Sequence, residues 1–256
     1  DRAIRAGFLP AGKGGYYSIQ PSIAWFLKDL FAHYFATPED VERAQKAYAS
    51  AVGAASRFYT VQYAGGKEEM LQLLQLEEGN LLHARKLAHE HGWEQALMDA
   101  LQGLSQLYDQ VGRRAAWEAI VAESTGDFSD PQSGGPIPGK EAYWLAFNDF
   151  RIHLAFLKHD MREAAGLQEK RVAADRQASE SSVHLKPSEM GEDDRRAVRQ
   201  LATSLFKLGE FEYAAKDPAC IQSFMEASRL LRRIGDKKDG ARCLFNLGLA
   251  YTNLPE

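Results

Sequence analysis

Ala241-Arg242-Cys243-Leu244-Phe245-Asn246-Leu247-Gly248-Leu249-Ala250-Tyr251 decides how the rest of the chain is read. A small residue, two large ones, a glycine and an aromatic fall at its first, fourth, seventh, eighth and eleventh places. That spacing puts all five along one side of an α-helix. A glycine inside a helix costs stability, so it needs a reason. A second helix crossing too closely for a side chain supplies one. Upstream, Leu205-Phe206-Lys207-Leu208-Gly209 repeats the large, large, Gly part, 39 residues before Gly248. Between the two copies, Phe224 and Ala227 are spaced as the packing pair of an intervening helix, and Gly235-Asp236 closes it.

This pattern resembles the first helix of a tetratricopeptide repeat, in one of its longer variants. Gly92-Trp93-Glu94-Gln95-Ala96 and Asp160-Met161-Arg162-Glu163-Ala164 look like turns into the second helix of other, degenerate units. The expected fold is all-α: tetratricopeptide-like helical hairpins, each burying what it cannot bury alone. A helical bundle without repeats is the alternative.

Working outward, helices are expected over 191–215, 218–234 and 237–253, and over 140–158 and 160–181. Lys186-Pro187-Ser188 lies in a loop. Residues 126–139 carry Gly134, Gly135, Pro136, Pro138 and Gly139, and form the clearest loop in the chain. Before it, helices are expected over 77–91, 93–111 and 113–124, divided by Gly92 and Gly112. Thr37-Pro38-Glu39-Asp40 reads as an N-cap with proline in the first turn. It opens a helix to about Tyr63, stopped by Gly65-Gly66, in which Ala47, Ala51, Ala54 and Ala55 would admit a close neighbour.

Residues 1–36 differ. Gly7-Phe8-Leu9 is a short apolar run, Gly12-Lys13-Gly14-Gly15 has turn chemistry and Tyr16-Tyr17-Ser18-Ile19 supplies β-formers, so a small β-hairpin is expected there. Pro21 then starts a helix whose Ile23, Phe26, Leu27, Leu30, Phe31 and Tyr34 share a face.

Gly15-Tyr16-Tyr17-Ser18-Ile19-Gln20-Pro21-Ser22-Ile23-Ala24-Trp25-Phe26-Leu27 resembles the end of the winged-helix domain in STAND-type signal-transduction ATPases. Leu76-Glu77-Glu78-Gly79-Asn80-Leu81-Leu82-His83-Ala84 and Gly112-Arg113-Arg114-Ala115-Ala116-Trp117 are similar to the helical arm of that family. The resemblance implies a winged-helix C-terminal part at 1–36, an arm at 37–125, the loop at 126–139 and a repeat sensor at 140–256. It implies an ATPase core upstream of Asp1, and a sensor that binds an inducer and holds that ATPase inactive until it does. ATP or ADP would belong to that core alone. Gln20 stands where these proteins often have a histidine that senses the nucleotide phosphate. An amide can hydrogen-bond there but cannot carry positive charge.

Function classes narrow on composition and motifs. The 256 residues carry a net charge of −4, which argues against nucleic acid as main partner. A recognition helix after Pro21 would offer only Lys28. Two cysteines, Cys220 and Cys243, lie at helical spacing among apolar residues and read as buried thiols in a reducing cytoplasm. No apolar run is long enough for a membrane span. No P-loop and no Gly-x-Ser-x-Gly elbow is present, so no catalytic centre is expected. His83 has only Lys86 and Leu87 within a helical turn, so a metal triad is not expected. Glu192-Asp193-Asp194 and Arg232-Arg233 read as solvated helix ends whose charges suit the helix dipole.

The tetratricopeptide resemblance implies that the first helix of each repeat lines a concave surface. The inward positions are Thr203, Phe206, Lys207 and Glu210 in one unit, and Arg242, Phe245, Asn246, Leu249 and Asn253 in the next; the alternative is that some of them pack against a following repeat, and for Leu249 that reading is preferred. Their mixture of aromatic, charged and amide groups suits a protein or peptide inducer, or a small ligand. Replacing Phe245 and Asn246 together by Ala is expected to abolish inducer binding and spare the fold. A constitutive tetratricopeptide scaffold, joining proteins without switching an ATPase, is the alternative function.

Overall fold

A computed structural model describes residues 21–254, together with Arg5. The expected β-hairpin at residues 7–19, and Gln20, lie outside the described residues. What is described is helical: α1 Pro21–Tyr34, α2 Pro38–Ala64, α3 Glu69–Leu76, α4 Glu78–His91, α5 Glu94–Val111, α6 Arg114–Phe128, α7 Glu141–Leu157, α8 Met161–Ala178, α9 Glu192–Ala214, α10 Cys220–Arg233 and α11 Lys237–Asn253. A single 3-10 turn, Ser182–His184, interrupts the α8–α9 connection. The chain divides into two compact units, residues 1–120 and 121–256, so the division falls inside α6.

In the first unit α2 packs against α3, α4 and α5, and α4 and α5 pair as a hairpin. Thr37 caps α2: its Oγ1 accepts from the Asp40 N–H at 3.1 Å, and Pro38 follows where its missing N–H costs nothing. Gly92 ends α4 in the left-handed region at φ 66, and the Trp93 N–H returns to the Ala88 carbonyl at 2.9 Å.

The close neighbour of α2 is α5, but the residues that admit it are not the expected alanines. Ala47, Ala51 and Ala54 are exposed and Ala55 is half-buried; the buried stripe is Ala49, Gly53, Ser56 and Thr60. A Cβ on Gly53 would lie 3.0 Å from the Cβ of Asp99, and one on Gly103 would lie 1.9 Å from Ser56 Oγ. Small residues line more than one side of α2, and only the neighbour's position decides which side is used.

Two further differences follow from packing. Residues 69–76, unassigned in the sequence, form α3, which sets Leu74 into the core. The apolar face of α1 is helical as expected, yet Trp25, Phe26, Leu27, Phe31 and Tyr34 are exposed.

In the second unit α6 runs to Phe128, four residues past its expected end, because Phe128 is fully buried against Phe147 at 5.1 Å between ring centroids. The helices α7, α8, α9, α10 and α11 then pack each on the next, and α9 also touches α11. Polar bonds tie successive layers: Asn148 Nδ2 donates to the Leu167 carbonyl at 3.1 Å, and Gln168 Nε2 to the Ser204 carbonyl at 2.9 Å. Asp194 begins α9 by accepting from the Gly191 N–H at 3.0 Å and from Ser182 Oγ at 2.7 Å, which lowers its carboxyl below the usual range.

Gly209 gives the repeat its physical sense. A Cβ there would lie 2.6 Å from Cε1 of Phe224, so α10 crosses α9 on the bare backbone. Phe224 is buried with Cys220 and Ala250, which stabilises the layer by about 1.5–3 kcal/mol for that one side chain. Beside it the carboxyl of Glu212 accepts from Ser223 Oγ at 2.7 Å.

Candidate functional site: the groove between α9 and α11

Helix α9 presents Thr203, Phe206, Lys207, Glu210 and Tyr213 within three turns, and α11 presents Asp239, Arg242, Asn246, Leu249 and Asn253. The two helices are one repeat apart, so these stripes face a common groove. At its centre the Arg242 guanidinium lies over the Phe206 ring, 5.0 Å from the centroid. Such a contact is worth about 0.5–1 kcal/mol at an exposed site. Asp239 Oδ1 holds the same guanidinium at 3.3 Å, one helical turn back.

Glu210 completes the cluster. Burial pushes its carboxyl above the usual range, while the Arg242 and Lys207 cations pull it back. On the Thr203 side of the Arg242–Phe206 contact, Thr203, Phe206, Asp239, Arg242 and Cys243 line a cavity of about 40 Å³. A space of that size holds about one water and excludes a ligand. At the other end Asn253 Nδ2 donates to Tyr213 Oη at 2.9 Å.

Among the expected groove residues the structure therefore joins Thr203, Phe206, Lys207, Glu210 and Arg242 into one cluster. It also separates them by role. Phe206 is half-buried, 5.8 Å from the Phe224 ring, and serves the packing of α9, α10 and α11. Its counterpart Phe245 is 68% exposed and stands at the outer edge of the α11 stripe. Asn246 is half-buried and its amide makes no hydrogen bond to the described residues. Asn253 is already engaged by Tyr213. Two residues were missed: Tyr213, three positions beyond Glu210, and Asp239, three before Arg242. Helical spacing alone would have reached both.

From Thr203 to Tyr213 the groove runs about 15 Å, at about 1.5 Å per residue. That length matches an extended segment of about four to five residues, at about 3.3 Å each. With the amide of Asn246, the cations of Lys207 and Arg242 and the carboxyl of Glu210 available, the surface can recognise backbone amides and charged side chains. It has no deep pocket at this place.

Among the described residues no group of three His, Cys, Asp or Glu side chains could hold a metal ion. Cys220 and Cys243 are free and buried, and burial pushes the Cys243 thiol up to about 11. No described helix is long and apolar enough to cross a membrane. No known protein family, curated protein or solved structure matches this chain.

Proposed function

We propose that this chain is a sensor of the tetratricopeptide type that binds a protein or peptide inducer in the groove between α9 and α11. Bound inducer would control a STAND-type ATPase core joined upstream, in the cytoplasm, with ATP or ADP held by that core. The chain itself would perform no catalysis and bind neither nucleic acid nor membrane. The observation that carries the reading is the Arg242–Phe206 contact. It holds a guanidinium in place at the groove's centre, with the uncommitted amide of Asn246 one turn away.

A guanidinium fixed by a ring and by Asp239 loses little further freedom when a ligand arrives, which favours binding. The exposed ring of Phe245 would offer an apolar anchor at the groove's edge.

The test is selection of short peptides from a displayed random library on the immobilised chain. Selected peptides are expected to bind at least tenfold more weakly to a variant carrying Arg242→Ala and Asn246→Ala, with unchanged circular dichroism. Absence of enriched peptides, or equal binding to that variant, would remove the groove reading. Reading the coding region upstream of Asp1 tests the regulatory half. A P-loop and a Walker B acid there support the sensor; their absence leaves a constitutive scaffold.

A further inference from the structure

A second groove in the same unit shares no residue with the one between α9 and α11. Its walls are α8 and α10, and the 3-10 turn at Ser182–His184 closes one end. The buried Val172, Leu201 and Leu230 form its apolar floor, and its volume is about 840 Å³. Sites for small molecules span about 300–1,000 Å³ and set a few polar groups around an apolar lining.

The rim carries both signs of charge. On α10, Arg229 and Arg233 stand one helical turn apart and both line the groove. Like charges at that spacing repel unless an anion lies between them. Glu226, the carboxylate one turn before Arg229, is already taken. Arg176 Nη2 reaches across from α8 and pairs with its Oε1 at 3.1 Å. Arg229 itself has no ion-pair partner among the described residues. Arg233 donates from Nη2 to the Leu185 carbonyl, and its Nε is buried without a hydrogen-bond partner. Its guanidinium is thus fixed beside the turn with its charge unanswered. Glu180, two residues past α8, lines the groove at the same turn and has no ion-pair partner among the described residues. Of the other titratable groups, His184 lines the groove from the turn itself and Glu169 from the end away from it.

We propose that this groove binds a small zwitterion of the α-amino-acid class with a large apolar side chain. Its carboxylate lies between Arg229 and Arg233, its ammonium meets Glu180, and its side chain covers Val172, Leu201 and Leu230. Arginines alone would take any anion. A carboxylate held apart from them on the same rim selects a molecule that carries both signs.

The probe is dansyl-lysine modified on its side-chain nitrogen, which keeps a free ammonium and a free carboxylate beside an apolar fluorescent body. Its emission is followed as the full chain is added, and a saturable rise is expected. Arg229→Ala and Glu180→Gln replace exposed side chains, so circular dichroism should not change. Each should weaken binding about tenfold. Ala173→Trp fills the groove from an exposed position and should abolish binding. Two partial probes sort the charges. Dansylglycine, with the carboxylate and no ammonium, should bind wild type about tenfold more weakly and lose nothing further with Glu180→Gln. Dansylcadaverine, with the ammonium and no carboxylate, should be indifferent to Arg229→Ala. Arg242→Ala should leave every value unchanged, which separates this site from the inducer groove. Absence of saturable binding, or indifference of dansyl-lysine to both Arg229→Ala and Glu180→Gln, overturns the proposal. So does dansylglycine that binds as tightly as the zwitterion, because the arginines would then form a general anion site.

Discussion

Phe224 packs on Gly209 so closely that a β-carbon there would come within 2.6 Å of the ring, whereas Gly248, its repeat partner, faces open space. One residue type, at equivalent helical positions, thus sits in opposite environments. Gly209→Ala is expected to destabilise the chain by about 1–3 kcal/mol, because a buried ring must move. Gly248→Ala is expected to stabilise it by about 0.5–1 kcal/mol, because only backbone entropy changes. Urea unfolding of both variants checks this. Equal effects would mean that the two glycines are not distinguished by α10.

Ser56 and Gly103 form a similar pair in the first unit, with Ser56 Oγ donating to the Asp99 carbonyl at 3.0 Å. Gly103→Ala should cost about 1–3 kcal/mol through overpacking. Ser56→Ala alone should cost about 1 kcal/mol for the lost bond. Together they should cost less than the two added, since the colliding oxygen is gone. A double-mutant cycle that adds up fully would show that α2 and α5 accommodate the methyl by other means.

Glu212 offers a pH test. Burial raises its carboxyl above the ordinary value of 4.5, Asp217 and Glu169 add to this, and the bond from Ser223 opposes it. The folded chain therefore keeps the proton to higher pH than the unfolded chain does. As pH rises through and above about 4.5, the unfolded state ionises first, and folding stability falls. Glu212→Gln lacks that fall. Wild type should lose stability relative to E212Q as pH rises above about 4.5, measured by urea midpoints. A difference constant with pH would exclude the buried carboxyl as its source.

The cysteines should be silent in the folded chain. Burial raises both thiols, Cys243 to about 11, so little thiolate exists at pH 8 and reagents are excluded. Titration with an aromatic disulfide reagent should find neither thiol promptly reactive in buffer and both reactive in urea. Rapid stoichiometric reaction in buffer would show that α10 or α11 opens readily.

Much of the fold is legible in the sequence. Thr37-Pro38 gave the start of α2, Gly92 and Gly112 the ends of α4 and α5, and the Gly209–Gly248 spacing the repeat. These are local devices: a cap, a left-handed turn and a helical period belong to neighbouring residues. The candidate groove was legible to the same extent, since position in the period places Thr203, Glu210, Arg242 and Asn246 on one side of their helices.

What the sequence by itself determined, then, is which segments are helical and which face each one presents. Only the tertiary structure decided which of several possible faces is used. It chose Gly53 and Ser56 over Ala47 and Ala51, and drew Phe206 into the core while leaving Phe245 exposed. It also paired Arg176 with Glu226, a residue of another helix 50 positions on. Helix formation depends on neighbouring residues, but burial depends on what lies across the gap, and that partner is set by residues distant in the chain.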